Sequence, residues 1–487
     1  MKKMLCFILA AAMMFSITAL AEDSPGGTPP DGFSGTPPEG TPPDGFGGGT
    51  PPDGTPPDGF GGGTPPDGAP GGFGGGTPPG GGTSSFEYAA STEVTEAAEL
   101  NSQSFVSETA DESALLINTA DTVTITEPAI TKTGDSSGGD NCNFYGLNAA
   151  LLVMGGSTTT ITGGTIETSA SGANGVFSYG GNGGRNGAAG DGTTVVISDT
   201  TIVTTGDGSG GIMTTGGGIT YAANLDVTTS GRSSAAIRTD CGGGTVIVDG
   251  GTYTTSGLGS PAIYSTADIT VKNASLVSNL SEGVCIEGMN SITLENSDLT
   301  ASNTQCNGNA TFHDTIMIYQ SMSGDADSGT SSFTMTGGSL TSLSGHMFHV
   351  TNTHAVITLD GVKLSNQGSD ILLSVCDDGW HGASNIAELV THNQQLEGTI
   401  LVGDNSTLKL TLSDGSTFEG TVSGEIENAK NELISSELGS VSVTLDSTST
   451  WILTADTWID AFEGDASCVT GNGYTLYVNG TALEGIS

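Results

Sequence analysis

A triplet of apolar residues recurs along this chain at positions n, n+2 and n+7. The first two side chains of a triplet lie on one face of a short β-strand, and the five-residue step to the third is too long for the same flat strand. A corner must therefore separate two strands in every repeat. The triplets are Val123/Ile125/Ile130, Val195/Ile197/Ile202, Val246/Val248/Tyr253, Ile269/Val271/Leu276, Ile292/Leu294/Leu299, Phe333/Met335/Leu340, Ile357/Leu359/Leu364 and Trp451/Leu453/Trp458.

The repeat is about 23 residues long where it is cleanest, because successive triplets begin at Val246, Ile269 and Ile292. Repeats of this length are typical of solenoids, in which each repeat buries its apolar face by stacking on its neighbours. Thr, Val and Ile dominate the repeats, as strands prefer, and no long segment shows the 3.6-residue period of a helix. The sequence predicts an all-β protein, a single-stranded parallel β-helix.

Residues that tolerate a positive φ occupy most of the predicted corners, as a tight bend requires. These corners are Gly163-Gly164, Gly250-Gly251, Asn273-Ala274, Asn296-Ser297, Gly337-Gly338 and Asp360-Gly361. A second row of small-then-large pairs precedes the triplets and predicts another strand in each coil. Its members are Gly211-Ile212, Ala236-Ile237, Ala262-Ile263 and Cys285-Ile286.

The chain divides into four predicted segments. Residues 1–21 have the charged start, apolar stretch and Ala-x-Ala end of a secretory signal peptide. Residues 22–85 repeat the motif Gly-Thr-Pro-Pro-Asp-Gly and contain all but two of the 18 prolines, which predicts a disordered Pro/Gly-rich stalk. Residues 86–393 are predicted to form the β-helix with an N-terminal cap. Residues 394–487 either continue its coils or form a C-terminal β-cap.

The charge of the chain limits its partners. The formal net charge is −43 at pH 7, so the surface repels nucleic acid and anionic lipid. After the signal segment no apolar run is long enough to span a bilayer. We therefore expect an extracellular protein, secreted or held at the cell surface, and a monomer. Such a charge serves either solubility or the binding of divalent cations.

Four stretches resemble those of right-handed parallel β-helix proteins of the pectate-lyase-like superfamily. They are ITGGTI (161–166), VDGGTY (248–253) and STSTWILTADTWIDAF with NGYTLYVNG (447–462 and 472–480). The likeness is greater to secreted, adhesin-like or carbohydrate-binding β-helix proteins of anaerobic Gram-positive bacteria, and covers about residues 110–480. The resemblance implies the fold, and calcium-assisted polysaccharide binding as in some relatives. It leaves activity open, because this fold hosts lyases, hydrolases, adhesins and binders.

The resemblance makes polysaccharide lyase chemistry the first to test. A lyase of this kind uses aspartate-bound calcium and a basic residue, usually Arg, to abstract a proton. Arg238 follows the row residue Ile237, and the same position in the next two coils is predicted to hold Tyr264 and Glu287. This column either binds a sugar acid or is a solvated edge, and the solvated edge is the favoured interpretation.

A second candidate lies in an irregular insertion that contains Asp377, Asp378, Trp380 and His381. The residue types are similar to the paired aspartates and Gly-His-Gly turn of polygalacturonase-type hydrolases. Both elements, however, fall in one short loop, and the chain has no Arg-x-Lys motif. Two carboxylates act as acid and base only at a defined separation. The loop is either an irregular turn packed by Trp380 or a sugar-stacking platform.

Asp325 and Asp327 form a candidate calcium site, because their carboxylate oxygens are closely spaced in sequence. The twelfth position of an EF-hand loop starting at Asp325 would be Thr336 instead of Glu, which excludes that motif. A loose calcium site and a solvated loop both remain open.

The sequence therefore predicts a secreted or cell-surface β-helix protein that binds polysaccharide, or another ligand on a host or neighbouring cell, without catalysis. No catalytic residue is assigned. One alternative is a lyase or glycoside hydrolase that acts on acidic, pectin-like glycans. Another is a structural surface spacer with no specific ligand.

Overall fold

The computed structural model describes residues 87–181, 189–321, 323–380 and 384–487. The predicted signal peptide, the stalk and His381 lie outside the described residues. The chain winds into successive coils whose strands pair in parallel with the equivalent strands of the coils before and after. The predicted all-β parallel β-helix is confirmed. Among the described residues, no helix has the length and apolar character needed to cross a membrane.

The coils place their strands in three ladders, named A, B and C here. Ladder A consists of Ala89–Val94, Glu112–Asn118, Leu151–Met154, Val176–Tyr179, Ile212–Thr215, Ile237–Thr239, Ile263–Ser265, Val284–Glu287, Asp314–Tyr319, His346–Thr351, Ile371–Val375, Gln395–Val402, Thr417–Ser423, Thr450–Leu453 and Val469–Thr470. Ladder B consists of Ala98–Asn101, Thr122–Thr126, Thr158–Thr162, Thr194–Ser198, Asp268–Lys272, Ser291–Glu295, Thr330–Thr336, His354–Asp360, Asn385–His392, Ser406–Ser413, Ser440–Leu445 and Ala461–Glu463. Ladder C consists of Ser104–Ser107, Ala129–Lys132, Thr165–Thr168, Thr201–Thr204, Ser275–Ser278, Asp298–Ala301, Ser339–Ser342 and Lys363–Asn366.

Two long strands, Gly218–Thr229 and Gly244–Thr255, pass through the corner and belong to both ladder B and ladder C. The remaining elements are small. They are the helix Asn141–Tyr145, the 3-10 helix Ala466–Cys468, the antiparallel pair Ile426–Glu427 and Leu433–Ser435, and a C-terminal sheet of Thr457–Ile459, Leu476–Val478 and Thr481–Ala482.

The apolar triplets form the core as predicted over most of the chain. Val246, Ile269 and Ile292 are paired neighbours in ladder B, and each is at most 1% exposed. The corner residues adopt the predicted backbone conformation, with φ of 77° at Gly250 and 53° at Asn273. A glycine is required at Gly164, where a Cβ would lie 2.2 Å from the carbonyl oxygen of Pro128.

One predicted register is wrong. Ile263 pairs with Val284 and Tyr264 with Cys285, so Cys285-Ile286 does not continue the row of Ala262-Ile263. In this coil the turn from ladder C to ladder A is two residues shorter than in the previous coil, and the turn from ladder A to ladder B is two residues longer. The two changes cancel in ladder B, where the spacing of 23 residues persists.

The last predicted triplet is also wrong. Trp451 lies in ladder A, where it pairs with Phe418, and Trp458 is 50% exposed on the C-terminal sheet. The reason is that the final coils have lost the corner between ladders C and A, so that Gln395–Val402 is one continuous strand. The strands of residues 394–487 still stack on the coils before them, through the pairing of Asn385–His392 with Ser406–Ser413.

A row of buried serines connects adjacent coils at the turn from ladder C to ladder A. The hydroxyls of Ser209, Ser234 and Ser260 each accept a hydrogen bond, at 2.9 Å, from a backbone N–H of the preceding coil. Each hydroxyl also donates to a carbonyl of that coil, at 2.8 to 3.1 Å. The row therefore replaces backbone pairing where the strands are interrupted.

We expect Ser234→Ala to lower the free energy of unfolding by about 1–3 kcal/mol, because it leaves the N–H of Ser209 and the carbonyl of Gly206 without these partners inside the protein. Urea denaturation measures the change. Ser275→Ala, which alters an exposed serine of ladder C, is the control and should change it by less than about 0.5 kcal/mol. Equal effects of the two substitutions would contradict a role for the serine row.

Candidate functional site

The candidate site lies on the outer surface of ladder A. Two insertions cover this surface: residues 302–313, which precede the strand Asp314–Tyr319, and the loop that follows the strand Ile371–Val375. Asp378 joins the insertions, since its Oδ1 accepts a hydrogen bond from the N–H of Thr311 at 2.7 Å and another from the Thr311 hydroxyl. Side chains that point away from the core are therefore enclosed.

The predicted column is only partly in register. Arg238 pairs with Tyr264, as predicted, but Tyr264 then pairs with Cys285. Glu287 lies two residues further on and pairs with Tyr319. The displacement follows from the shorter turn before this strand. The Tyr264 hydroxyl nevertheless reaches Oε2 of Glu287, at 2.5 Å.

The favoured interpretation of this column as a solvated edge is wrong. Arg238 is 8% exposed, Tyr264 is 9% exposed and Glu287 is 2% exposed. Solvent exposure was predicted because outward positions of a bare solenoid face water. In this structure the two insertions cover those positions.

Arg238 is held in place by three contacts. Its Nη2 lies 2.6 Å from Oδ2 of Asp240, its Nη1 donates to the carbonyl of Ser233 at 3.1 Å, and its guanidinium lies 5.3 Å from the centre of the Tyr264 ring. Its Nε is buried and has no hydrogen-bond partner. The charge of Arg238 is therefore balanced by Asp240, while one N–H donor is left unsatisfied.

Glu287 has a structural role. Its Oε2 accepts hydrogen bonds from the hydroxyls of Tyr264 and Tyr319, at 2.5 and 3.1 Å. Its Oε1 accepts from the hydroxyls of Ser321 and, at 3.2 Å, Ser323. Burial raises the pKa of this carboxyl. Four hydroxyl donors occupy its oxygens, so Glu287 fixes the following loop and is not free to bind a ligand.

That loop contains Asp325 and Asp327. The N–H of Asp325 donates to the Ser323 hydroxyl at 3.1 Å, and the carbonyl of Asp327 accepts from the N–H of Met289 at 2.8 Å. Burial raises the pKa of the Asp325 carboxyl. Across the described ranges, no group of three or more His, Cys, Asp or Glu side chains is placed to hold a metal ion. Calcium binding by this pair stays a prediction.

Trp380 places the second predicted site, the loop after Ile371–Val375, beside the first, the Arg238 column. Its ring packs against Tyr319, with ring centres 5.0 Å apart and planes at 52°, and it is half-buried. Its indole Nε1 is buried without a hydrogen-bond partner. Asp377 is exposed and accepts a hydrogen bond from the N–H of Gly379 at 2.8 Å. The sequence treated this loop and the Arg238 column as separate sites, and folding makes them one.

A cleft lies between the two groups. It is lined among others by Arg238, Pro261, Tyr264, Glu282, Tyr319 and Trp380. Its volume of about 30 Å³ holds one or two water molecules. A hydroxyl or carboxylate group fits inside it, and a whole sugar ring does not, so a larger ligand would lie across its mouth.

Two buried carboxyl groups near this cleft were not among the site residues predicted from the sequence. Glu282, which lines the cleft, and Asp314 are 6% and 1% exposed. Burial is the main cause that raises the pKa of both, the charge of Asp378 adds to it at each group, and Glu282 raises the pKa of Asp314 further. The only signal in the sequence was their position at the start of ladder A strands, since Glu282 lies two residues before Val284–Glu287 and Asp314 begins Asp314–Tyr319. That feature is too common to distinguish them.

A further buried network has the residue types of a serine hydrolase. The hydroxyl of Ser374 lies 2.7 Å from Nδ1 of His349, and Nε2 of His349 lies 3.6 Å from Oδ2 of Asp378. Phe312 stacks on His349, and His346 also contacts Ser374, at 2.8 Å. All three triad-like side chains are at most 1% exposed. A nucleophile without access to substrate cannot act, so this network is structural.

Comparison with protein-family models, with curated proteins and with solved structures finds no match for this chain. Descent from a particular family is therefore a matter for proposal.

We expect the free energy of unfolding to fall as pH rises above about 4, where carboxyls ionise in the unfolded chain. The folded protein keeps Glu282 and Asp314 protonated to higher pH, so their stabilisation is complete below that pH and is lost as pH rises through their raised pKa values. Urea denaturation between pH 4.5 and 8 should show a shallower decline for Asp314→Asn. The control Glu99→Gln removes an exposed carboxylate and should keep the wild-type slope; a wild-type slope in Asp314→Asn would be inconsistent with the buried acid pair.

Proposed function

We propose that this protein is a secreted or cell-surface β-helix related to the pectate-lyase-like superfamily, and that it binds polysaccharide without cleaving it. One observation carries the proposal: two buried N–H donors that lack an acceptor, Nε of Arg238 and Nε1 of Trp380, belong to residues lining the same cleft. A buried donor without a partner costs about 1–3 kcal/mol, so an oxygen-bearing ligand at the cleft recovers that energy.

The chemistry of the cleft favours a sugar over other oxygen-rich ligands. The rings of Tyr264, Tyr319 and Trp380 give it apolar surface, and the unpaired donors lie among them. A pyranose ring combines an apolar face with acceptor oxygens at its edge, so it meets both requirements at once. The half-buried Trp380 supplies the platform, and one sugar oxygen enters the small volume beside Arg238.

The charges favour a neutral glycan. Asp240 balances Arg238, and the chain as a whole has a net charge of −43. An acidic polymer would approach a surface of its own sign, which slows association. Neutral polysaccharide is therefore the preferred ligand class.

Trp380→Ala should weaken retention by neutral polysaccharides about tenfold, since it removes the stacking platform and one donor. Affinity electrophoresis of the full chain through gels containing a panel of soluble glycans measures the change. Trp458→Ala is the matched control, because Trp458 is the more exposed tryptophan and lies on the C-terminal sheet. Loss of retention in Trp458→Ala, with none in Trp380→Ala, would place binding elsewhere.

The same experiment tests calcium and the spacer hypothesis. Loss of retention after chelation, restored by added calcium, would show that binding depends on calcium. It would make Asp325 and Asp327 the first residues to test as calcium ligands. No retention by any glycan would support a structural spacer or a protein-binding surface.

A second candidate function, a polysaccharide lyase or glycoside hydrolase, is favoured by Glu282 alone. This side chain lines the cleft, and burial raises its pKa, as a general acid requires. On the binding proposal the wild-type protein releases no reducing or unsaturated sugar, and Glu282→Gln retains glycan as the wild type does. Sugar release by the wild type that Glu282→Gln abolishes would establish the enzyme instead.

A further inference from the structure

Ladder C ends abruptly at the strand Lys363–Asn366. This strand pairs with Ser339–Ser342 of the preceding coil, and within the described part of the chain it has no strand partner on its other side. In the following coil, Gln395–Gly398 pair instead with Thr417–Gly420 of the coil beyond. The edges of two strands therefore face each other across a gap.

The gap is closed at both ends. At one end the side-chain amide of Gln394 takes the place of a backbone partner: its Oε1 accepts from the N–H of Val362 at 2.9 Å, and its Nε2 donates to the Val362 carbonyl at 2.8 Å. At the other end, the N–H of Thr399 donates to the carbonyl of Asp370 at 2.7 Å. Between these contacts lies a groove of about 850 Å³.

Leu364 shows that a layer is missing over this strand. The equivalent residues of the three preceding coils, Leu276, Leu299 and Leu340, are completely buried. Leu364 continues their row but is only partly buried. Met347, Leu372 and Leu396 also line the groove, each at most 2% exposed, beside polar residues such as Ser365 and Asn366.

The open edge offers backbone hydrogen bonds. Lys363 and Gln367 donate their N–H groups to carbonyls of the preceding coil. Since the N–H groups of a strand alternate in direction, those of Leu364 and Asn366 point toward the groove. The open edge of about four residues is long enough to pair with a short extended peptide.

The rim of the groove is acidic. Asp370, Glu397 and Glu419 are exposed along it, against the single cation Lys363. A peptide with basic side chains on its outward face would complement this rim, whereas an acidic peptide would be repelled.

We propose that this groove binds an extended basic segment of a partner protein by strand addition, with the segment supplying the strand that ladder C lacks. The bound segment would pair with Lys363–Asn366, cover Leu364 and place its basic side chains beside Glu397 and Glu419. This site is separate from the Trp380 cleft, so it does not depend on carbohydrate binding.

The test uses three synthetic hexapeptides with the full chain, and isothermal titration calorimetry as the readout. The probe alternates Lys and Val; the second peptide alternates Glu and Val; the third is the Lys/Val peptide with every second amide N-methylated. We expect the second and third peptides to bind at least about tenfold more weakly than the first. Equal binding of the N-methylated peptide would overturn strand addition, and absence of binding by the Lys/Val peptide would overturn the site.

Two double variants locate the binding. Glu397→Gln with Glu419→Gln should reduce affinity for the Lys/Val peptide severalfold without disturbing the fold, since both side chains are exposed. Glu93→Gln with Glu99→Gln, which neutralises two exposed carboxylates at the other end of the solenoid, should leave it unchanged. Equal loss in both pairs would show that net charge, and not the groove, attracts the peptide. A dimer that the peptide dissociates would assign the groove to a second copy of this chain and overturn the partner proposed.

Discussion

Coil-on-coil stacking is the constraint on which the rest of this molecule depends. Each coil contributes only a few inward side chains, and Val248, Val271 and Leu294 are completely buried because the coils above and below cover them. Burial of apolar area contributes about 25 cal/mol per Å², so removal of one coil would expose both of its neighbours. The interior is therefore occupied along its whole length, and any site must lie on the outer faces.

Ladder A carries the candidate site because two insertions cover its outer surface. Coverage turns outward positions into a second, polar interior, where charged groups are tolerated only with close partners. Arg238 has Asp240, Glu287 has four hydroxyls, and Asp378 has Thr311. Arg238 and Trp380 each keep one buried N–H donor without a partner beside the cleft, and other buried polar atoms of this region, such as Nδ2 of Asn303, also lack one.

The same constraint explains the groove at the end of ladder C. When the coil changes from three strands to a form in which ladders C and A merge, stacking cannot continue over Lys363–Asn366. Gln394 and the Thr399–Asp370 hydrogen bond hold the two coils together on either side of the change. A change of cross-section thus leaves a strand edge and an apolar row uncovered in one place.

The sequence by itself determined the solenoid, its inward triplets and its corners, because strand alternation and positive φ at residues such as Gly250 and Asn273 are local properties that repeat with each coil. Tertiary structure decided the rest. Compensating turn lengths moved Cys285 and Glu287 out of the predicted register, and the final coils placed Trp451 in ladder A. The burial of Arg238, and its position beside Trp380 in one cleft, depend on where two non-repeating insertions fold back. Long-range contacts set that position, and such contacts produce no periodic pattern in the sequence.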